Sequence, residues 1–137
     1  MRATRTFRLK GHARSAAAVR AALRGLPRAL DEATIADASL CATELVSNVA
    51  RHCEGAARGH PVELQLLVDD DLLRVEVSDP GKGFEVGELS PGDETGGWGL
   101  FIVDRIADAW GVDPGTRCRV WFELSTSGTA FRTPAAA

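Results

Sequence analysis

Two alternating runs, residues 62–68 and 72–79, are separated only by Asp69-Asp70-Asp71, and they limit this chain more than any other stretch. A side-chain repeat of two belongs to an extended strand, because a helix repeats nearer 3.6. The short acidic turn makes the pair an antiparallel hairpin. Val62, Leu64, Leu66 and Val68 share one face of the first run, and Leu73, Val75 and Val77 share one face of the second. By the same parity Asp79 points inward. A carboxylate on a core face needs a partner, since an isolated buried charge is very costly. No basic residue stands beside it on that face. Two readings stay open at this point: a carboxylate facing a polar ligand, or a loop aspartate capping the turn at Pro80-Gly81.

A one-sided apolar hairpin needs a cover, and the sequence supplies helices. Residues 31–53 form the longest helical stretch. Ile35, Ala38, Ala42, Leu45, Val49 and Cys53 make its apolar stripe, while Glu44, Asn48 and His52, spaced every fourth residue, make a polar stripe on its shoulder. That shoulder either faces a ligand pocket or is a solvated flank. Residues 13–26 form a shorter helix rich in good helix formers, with Val19, Ala22, Leu23 and Leu26 inward and Gly25 and Pro27 ending it. Ahead of it, residues 4–9 read as a short strand with Phe7 and Leu9 on one face.

Downstream of the hairpin, residues 80–99 hold Gly81, Gly83, Gly87, Gly92, Gly96, Gly97 and Gly99. A loop this long and glycine-dense in a compact domain is usually functional or mobile. Residues 100–109 read as a helix emerging from Gly97-Trp98-Gly99, and bare backbone amides at such a start can bind phosphate. Residues 110–112 suit a short strand and 113–116 a turn. Residues 118–124 form a closing strand with Cys118, Val120, Phe122 and Leu124 inward and Arg119, Trp121 and Glu123 outward. The expected organisation is a single domain over residues 1–125 followed by a disordered tail, 126–137. The 55–61 stretch, with Gly55, Gly59 and Pro61, is a loop.

Composition excludes several classes. A chain of 137 residues with net charge −3 offers no electrostatic case for nucleic acid or an anionic membrane. No apolar run approaches the ~20 residues needed to span a bilayer. The first ten residues are basic but lack an apolar signal-peptide core. Cys41, Cys53 and Cys118 are odd in number and lack paired-ligand spacing, so three reduced core thiols in a cytoplasmic protein are expected.

Together the elements describe a two-layer α/β sandwich: a mixed, mostly antiparallel sheet with helices on one face. An inward Asp79, the Glu44/Asn48 shoulder and the glycine-rich loop would surround one cavity between the layers. The residue types suit a nucleotide with a divalent metal. Asp79 can accept a hydrogen bond from an exocyclic amine, Asn48 offers a hard oxygen to Mg²⁺, and Glu44 can act as a base toward a nucleophile. Neither a P-loop nor a strand–Gly-x-Gly-x-x-Gly–helix unit is present.

These motifs resemble a known family, the ATP-binding domain shared by gyrase, Hsp90, histidine kinases and mismatch-repair proteins, and within it the anti-sigma-factor serine/threonine kinases. Glu44-Leu45-Val46-Ser47-Asn48-Val49-Ala50-Arg51-His52 resembles the N box. Asp79-Pro80-Gly81-Lys82-Gly83-Phe84 resembles the first glycine box. Gly97-Trp98-Gly99-Leu100, with Phe101-Ile102-Val103 and later Trp110-Gly111, resembles the second. The resemblance implies a histidine-kinase/Hsp90-like fold and a Mg-ATP or Mg-ADP site. Asn48 would bind the metal and Asp79 the adenine amino group. Gly81 and Gly83 would let backbone approach the nucleotide, Gly97, Gly99 and Leu100 would open the helix start to the phosphates, and Glu44 would be the catalytic base. Residues 80–96 would be a lid. The sequence departs from the branch's usual Gly-Thr-x-Val on the last strand: Arg117 and Cys118 hold the glycine and threonine places, and Thr116 lies two residues too early. Trp98 stands where an Arg or Met is common.

The resemblance implies partners too: a sigma factor and an antagonist protein of the STAS type, with no direct nucleic acid or membrane, and it admits a homodimer. A kinase and an ATP-binding regulator that transfers no phosphate both remain open, with Glu44 favouring the kinase. A gyrase-type ATPase fragment is not expected, because no transducer domain follows.

Overall fold

The computed structural model describes residues 3–9, 15–26, 30–53, 61–79, 97–113 and 118–126. Its elements run β1 (Ala3–Leu9), α1 (Ser15–Arg24), α2 (Glu32–His52), β2 (Val62–Val68), β3 (Leu72–Ser78), α3 (Gly97–Ile106), β4 (Ala109–Val112) and β5 (Arg119–Ser125). The described strands form one five-stranded sheet in the order β1-β2-β3-β5-β4, with every pairing antiparallel. This is the expected α/β sandwich.

The β2–β3 hairpin forms where the alternation places it, with Leu66 opposite Val75 and Leu64 opposite Val77. Its acidic turn is held by Asp69. The Asp69 carboxylate accepts from the backbone N–H groups of Asp71 at 3.2 Å and Leu72 at 3.0 Å, and its own N–H donates to the Leu72 carbonyl at 3.0 Å. An aspartate that satisfies its own turn in this way explains how three like charges sit at one bend.

Helix α2 lies across β2, β3 and β5 and packs against both α1 and α3. Asp31 caps its start, accepting from the Thr34 N–H at 2.7 Å. Every residue of its expected apolar stripe is buried, as is the apolar face of α1. The inward residues of β2, β3 and β5 meet them in one core cluster, against which Phe7 and Leu9 of β1 pack. The sheet's other face keeps polar cover. Arg74 bonds Glu76 and Glu123, each at 2.8 Å, and its guanidinium lies 4.1 Å from the Trp121 ring centre. Burial works against its charge, but the bonds to the two carboxylates outweigh it and raise the guanidinium above its ordinary pKa.

Helix α3 departs furthest from the sequence reading, and the other elements, β2 apart, shift by one or two residues at their ends. Helix α3 spans Gly97–Ile106 instead of 100–109. Glycines 97 and 99 therefore stand in its first turn, where backbone N–H groups need no helical partner and low propensity costs least. The helix also ends early: the Ala107 N–H closes its last turn on Val103, and the Asp108 N–H turns to the Glu123 carbonyl, releasing the chain into β4. Strand β5 runs one residue past the expected 124, with Ser125 opposite Leu72, and the N–H of Thr126, the first residue of the expected tail, donates to the Asp71 carbonyl at 2.8 Å. The expected lid at 80–96, the loop at 55–61 except Pro61, the turn at 113–116 except Asp113, and the tail at 126–137 except Thr126 lie outside the described residues.

The cysteine expectation is overturned. Cys53 and Cys118 form a disulfide across 65 residues of sequence, with Cα atoms 6.1 Å apart, and Cys41 alone stays a buried thiol. An odd count did not exclude one bond. Cys53 ends the inward stripe of α2, Cys118 begins the inward stripe of β5, and those stripes face each other.

Candidate functional site

The polar stripe of α2 divides by depth. The solvated-flank reading does not hold for Asn48, which is 1% exposed. Helix α2 packs against α1, α3 and the sheet. Glu44, one turn earlier, is half-buried. The Asn48 Nδ2 donates to the Glu44 carbonyl at 2.9 Å, which fixes the amide's orientation because a carbonyl can only accept. Its Oδ1 is consequently aimed away from the helix backbone, buried and without a hydrogen-bond partner. The Thr34 and Thr43 hydroxyls are also buried without partners, but a hydroxyl can rotate toward a helix carbonyl, whereas Oδ1 can only accept. The side chain of His52 lies outside the described residues.

Asp79 follows β3 directly and is 0% exposed, so the inward parity read from the sequence is correct. Its backbone N–H donates to the Cys118 carbonyl at 2.9 Å, extending the β3–β5 pairing by one step. Gly81 and Gly83 lie outside the described residues. Gly97, Gly99 and Leu100 occupy the first turn of α3, where Leu100 is buried.

The fold brings the elements carrying these residues together. Helix α2 touches β3, β5 and α3, and its C-terminal end, which follows Asn48, is joined through Cys53 to Cys118, whose carbonyl accepts the Asp79 N–H. Among the described residues no cluster of three or more His, Cys, Asp or Glu could cage a metal. A magnesium ion bound mainly by substrate phosphates and water needs none, and it needs a protein oxygen such as Asn48 Oδ1. The donor set present thus fits that ion.

A carboxylate beside a sheet, a helix-borne amide with a spare oxygen and a glycine-bearing helix start are groups that an α/β sandwich binding a nucleotide would use. The sequence comparison agrees: residues 9–121 match the histidine kinase-like ATPase domain, and the chain belongs to that family. It is also 27% identical over 86 residues to the serine-protein kinase RsbW of Listeria monocytogenes serovar 1/2a. That match covers 54% of this chain and 55% of RsbW, so it spans about half of the curated relative.

The sequence reading missed the Cys53–Cys118 bond and the burial of Asn48. The first was visible as two cysteines ending apposed inward stripes. The second depends on tertiary packing around α2, which no local pattern of that helix reveals.

Proposed function

We propose that this chain is an ATP-binding, anti-sigma-factor-like regulator that acts as a protein serine/threonine kinase on an antagonist protein. The observation that carries the reading is the buried Oδ1 of Asn48, an oriented oxygen with no hydrogen-bond partner among the described residues. A buried acceptor left unsatisfied is costly unless a ligand completes it. Family membership supports the nucleotide, and the likeness to a serine-protein kinase supports the acceptor class.

Asn48 would hold Mg²⁺ through Oδ1, since an amide oxygen accepts and meets the phosphates only through the ion. Magnesium, when bound, neutralises charge on the phosphates. Asp79 accepts from the adenine amine, and the amides opening α3, with Gly97 and Gly99 keeping side chains away, face the phosphates. Gly81 and Gly83 let backbone approach the nucleotide. Glu44 takes the proton from a serine or threonine hydroxyl as its oxygen attacks the γ-phosphorus and the bond to ADP breaks. The working unit is residues 1–125, in the cytoplasm. A sigma factor and a STAS-type antagonist are the partners. No helix among the described residues is long and apolar enough to cross a membrane.

Transfer of labelled phosphate from ATP to candidate antagonists tests the reading. Glu44→Ala should lower transfer on the order of 10²–10⁴-fold while nucleotide affinity stays within about threefold. Unchanged transfer would remove Glu44 as the base. Tight nucleotide binding by wild type with no transfer to any antagonist would make the protein a non-catalytic ATP-binding regulatory module.

A further inference from the structure

The disulfide lies between the two groups assigned to opposite ends of the nucleotide. Cys53 is the first residue beyond α2, and its N–H donates at 2.8 Å to the carbonyl of Val49, the residue after Asn48. Cys118 begins the run into β5, and its carbonyl accepts the Asp79 N–H. A covalent path therefore runs from the end of the Asn48 helix, through the two sulfurs, to the backbone that fixes Asp79. Both cysteines are 0% exposed and sit in the core cluster shared by α2 and β5. Cys118 also stands in the place where the resemblance puts a threonine.

We propose that Cys53 and Cys118 form a redox switch that sets nucleotide affinity. This rests on the nucleotide-site reading above. With the bond formed, the Asn48 wall and the Asp79 wall are held at one spacing, so less freedom is lost when the nucleotide bridges them. With the bond reduced, α2 and β5 keep only packing, and ordering of the site falls on the ligand. The disulfide form is the tighter binder.

The chemistry balances with ordinary thiol reagents. A dithiol reductant attacks one sulfur as thiolate, the S–S bond breaks, and the displaced thiolate takes a proton. The reductant's second thiol then resolves the mixed disulfide, leaving two protein thiols and a cyclic disulfide. In reverse, one protein thiolate attacks hydrogen peroxide, giving a sulfenic acid and water. The second thiolate attacks that sulfur, forming the disulfide and releasing the second water. Because the sulfurs are buried, exchange requires the end of α2 to open locally, and a ligand that holds the walls together opposes that opening. Coupling is reciprocal: the factor by which the bond tightens nucleotide binding is the factor by which nucleotide favours the bond.

The test uses the full chain in two forms, peroxide-treated and dithiothreitol-reduced, verified by denatured thiol titration as one and three thiols per chain. Calorimetry with Mg-ADP should give about tenfold tighter binding to the disulfide form. Cys53→Ser should bind like the reduced form under both treatments, and saturating Mg-ADP should slow reduction of the wild-type bond. Equal affinity of the two wild-type forms would overturn the switch while leaving the nucleotide site intact, the bond then being a staple alone. Tighter binding by the reduced form would overturn it as well. Absence of Mg-ADP binding by either form would remove the nucleotide-site reading, and the switch with it. Should Cys53→Ser not fold, the wild-type pair of measurements still decides.

Discussion

Asn48 carries a cost in the free protein. A buried amide oxygen without a partner forfeits about 1–3 kcal/mol of hydration. Asn48→Ala removes that penalty together with the bond to the Glu44 carbonyl, which is already a helix acceptor. Its effect on unliganded stability should thus stay within about 1 kcal/mol. Leu45→Ala, next to the neighbouring turn and fully buried, should cost about 2–5 kcal/mol. Denaturant unfolding of both variants checks the contrast. A large loss in Asn48→Ala would mean the residue is there for packing. Asp79→Asn should weaken adenine nucleotide binding by about tenfold, since the amide can place a donor against the exocyclic amine. Calorimetry giving wild-type affinity would reduce Asp79 to a turn residue.

Among the elements, the β4–β5 pair depends on one glycine. A Cβ built at Gly111 would lie 2.8 Å from Cζ2 and 3.0 Å from Cε2 of Trp121, against the rigid indole face and not the end of a flexible chain. Gly111→Ala should therefore cost about 1–3 kcal/mol, and most of that should vanish in a Trp121→Ala background. A double-mutant unfolding cycle with additive losses would contradict the contact. The sequence marked Trp110-Gly111 as part of a short strand and of a motif; the reason for glycine is the Trp121 ring, which pairs opposite it across 10 residues of chain that no local pattern reaches. Strand β2 was legible to the residue, because alternation between turn residues admits one period. Helix α3 was misplaced by three residues at each end. Its glycines look like loop on propensity, and its end is set by the Asp108 N–H finding Glu123, a tertiary bond.

For the whole molecule, the sandwich was legible because a one-sided hairpin and two amphipathic helices can bury their apolar faces only against each other. The pairing order β1-β2-β3-β5-β4 and the joining of Cys53 to Cys118 emerge only when the layers close. Of the site, the residue types and the inward aim of Asp79 were readable from spacing, whereas the full burial of Asn48 was not. The central claim is that this closed fold holds a magnesium-dependent adenine nucleotide site built on Asn48 and Asp79. The most direct test is calorimetric titration of ATP into wild type with and without Mg²⁺, repeated with Asn48→Ala. Wild type should bind in Mg²⁺ and lose at least about tenfold in affinity without it, and Asn48→Ala should bind weakly under both conditions. Binding in Asn48→Ala equal to wild type and equally magnesium-dependent would contradict the claim.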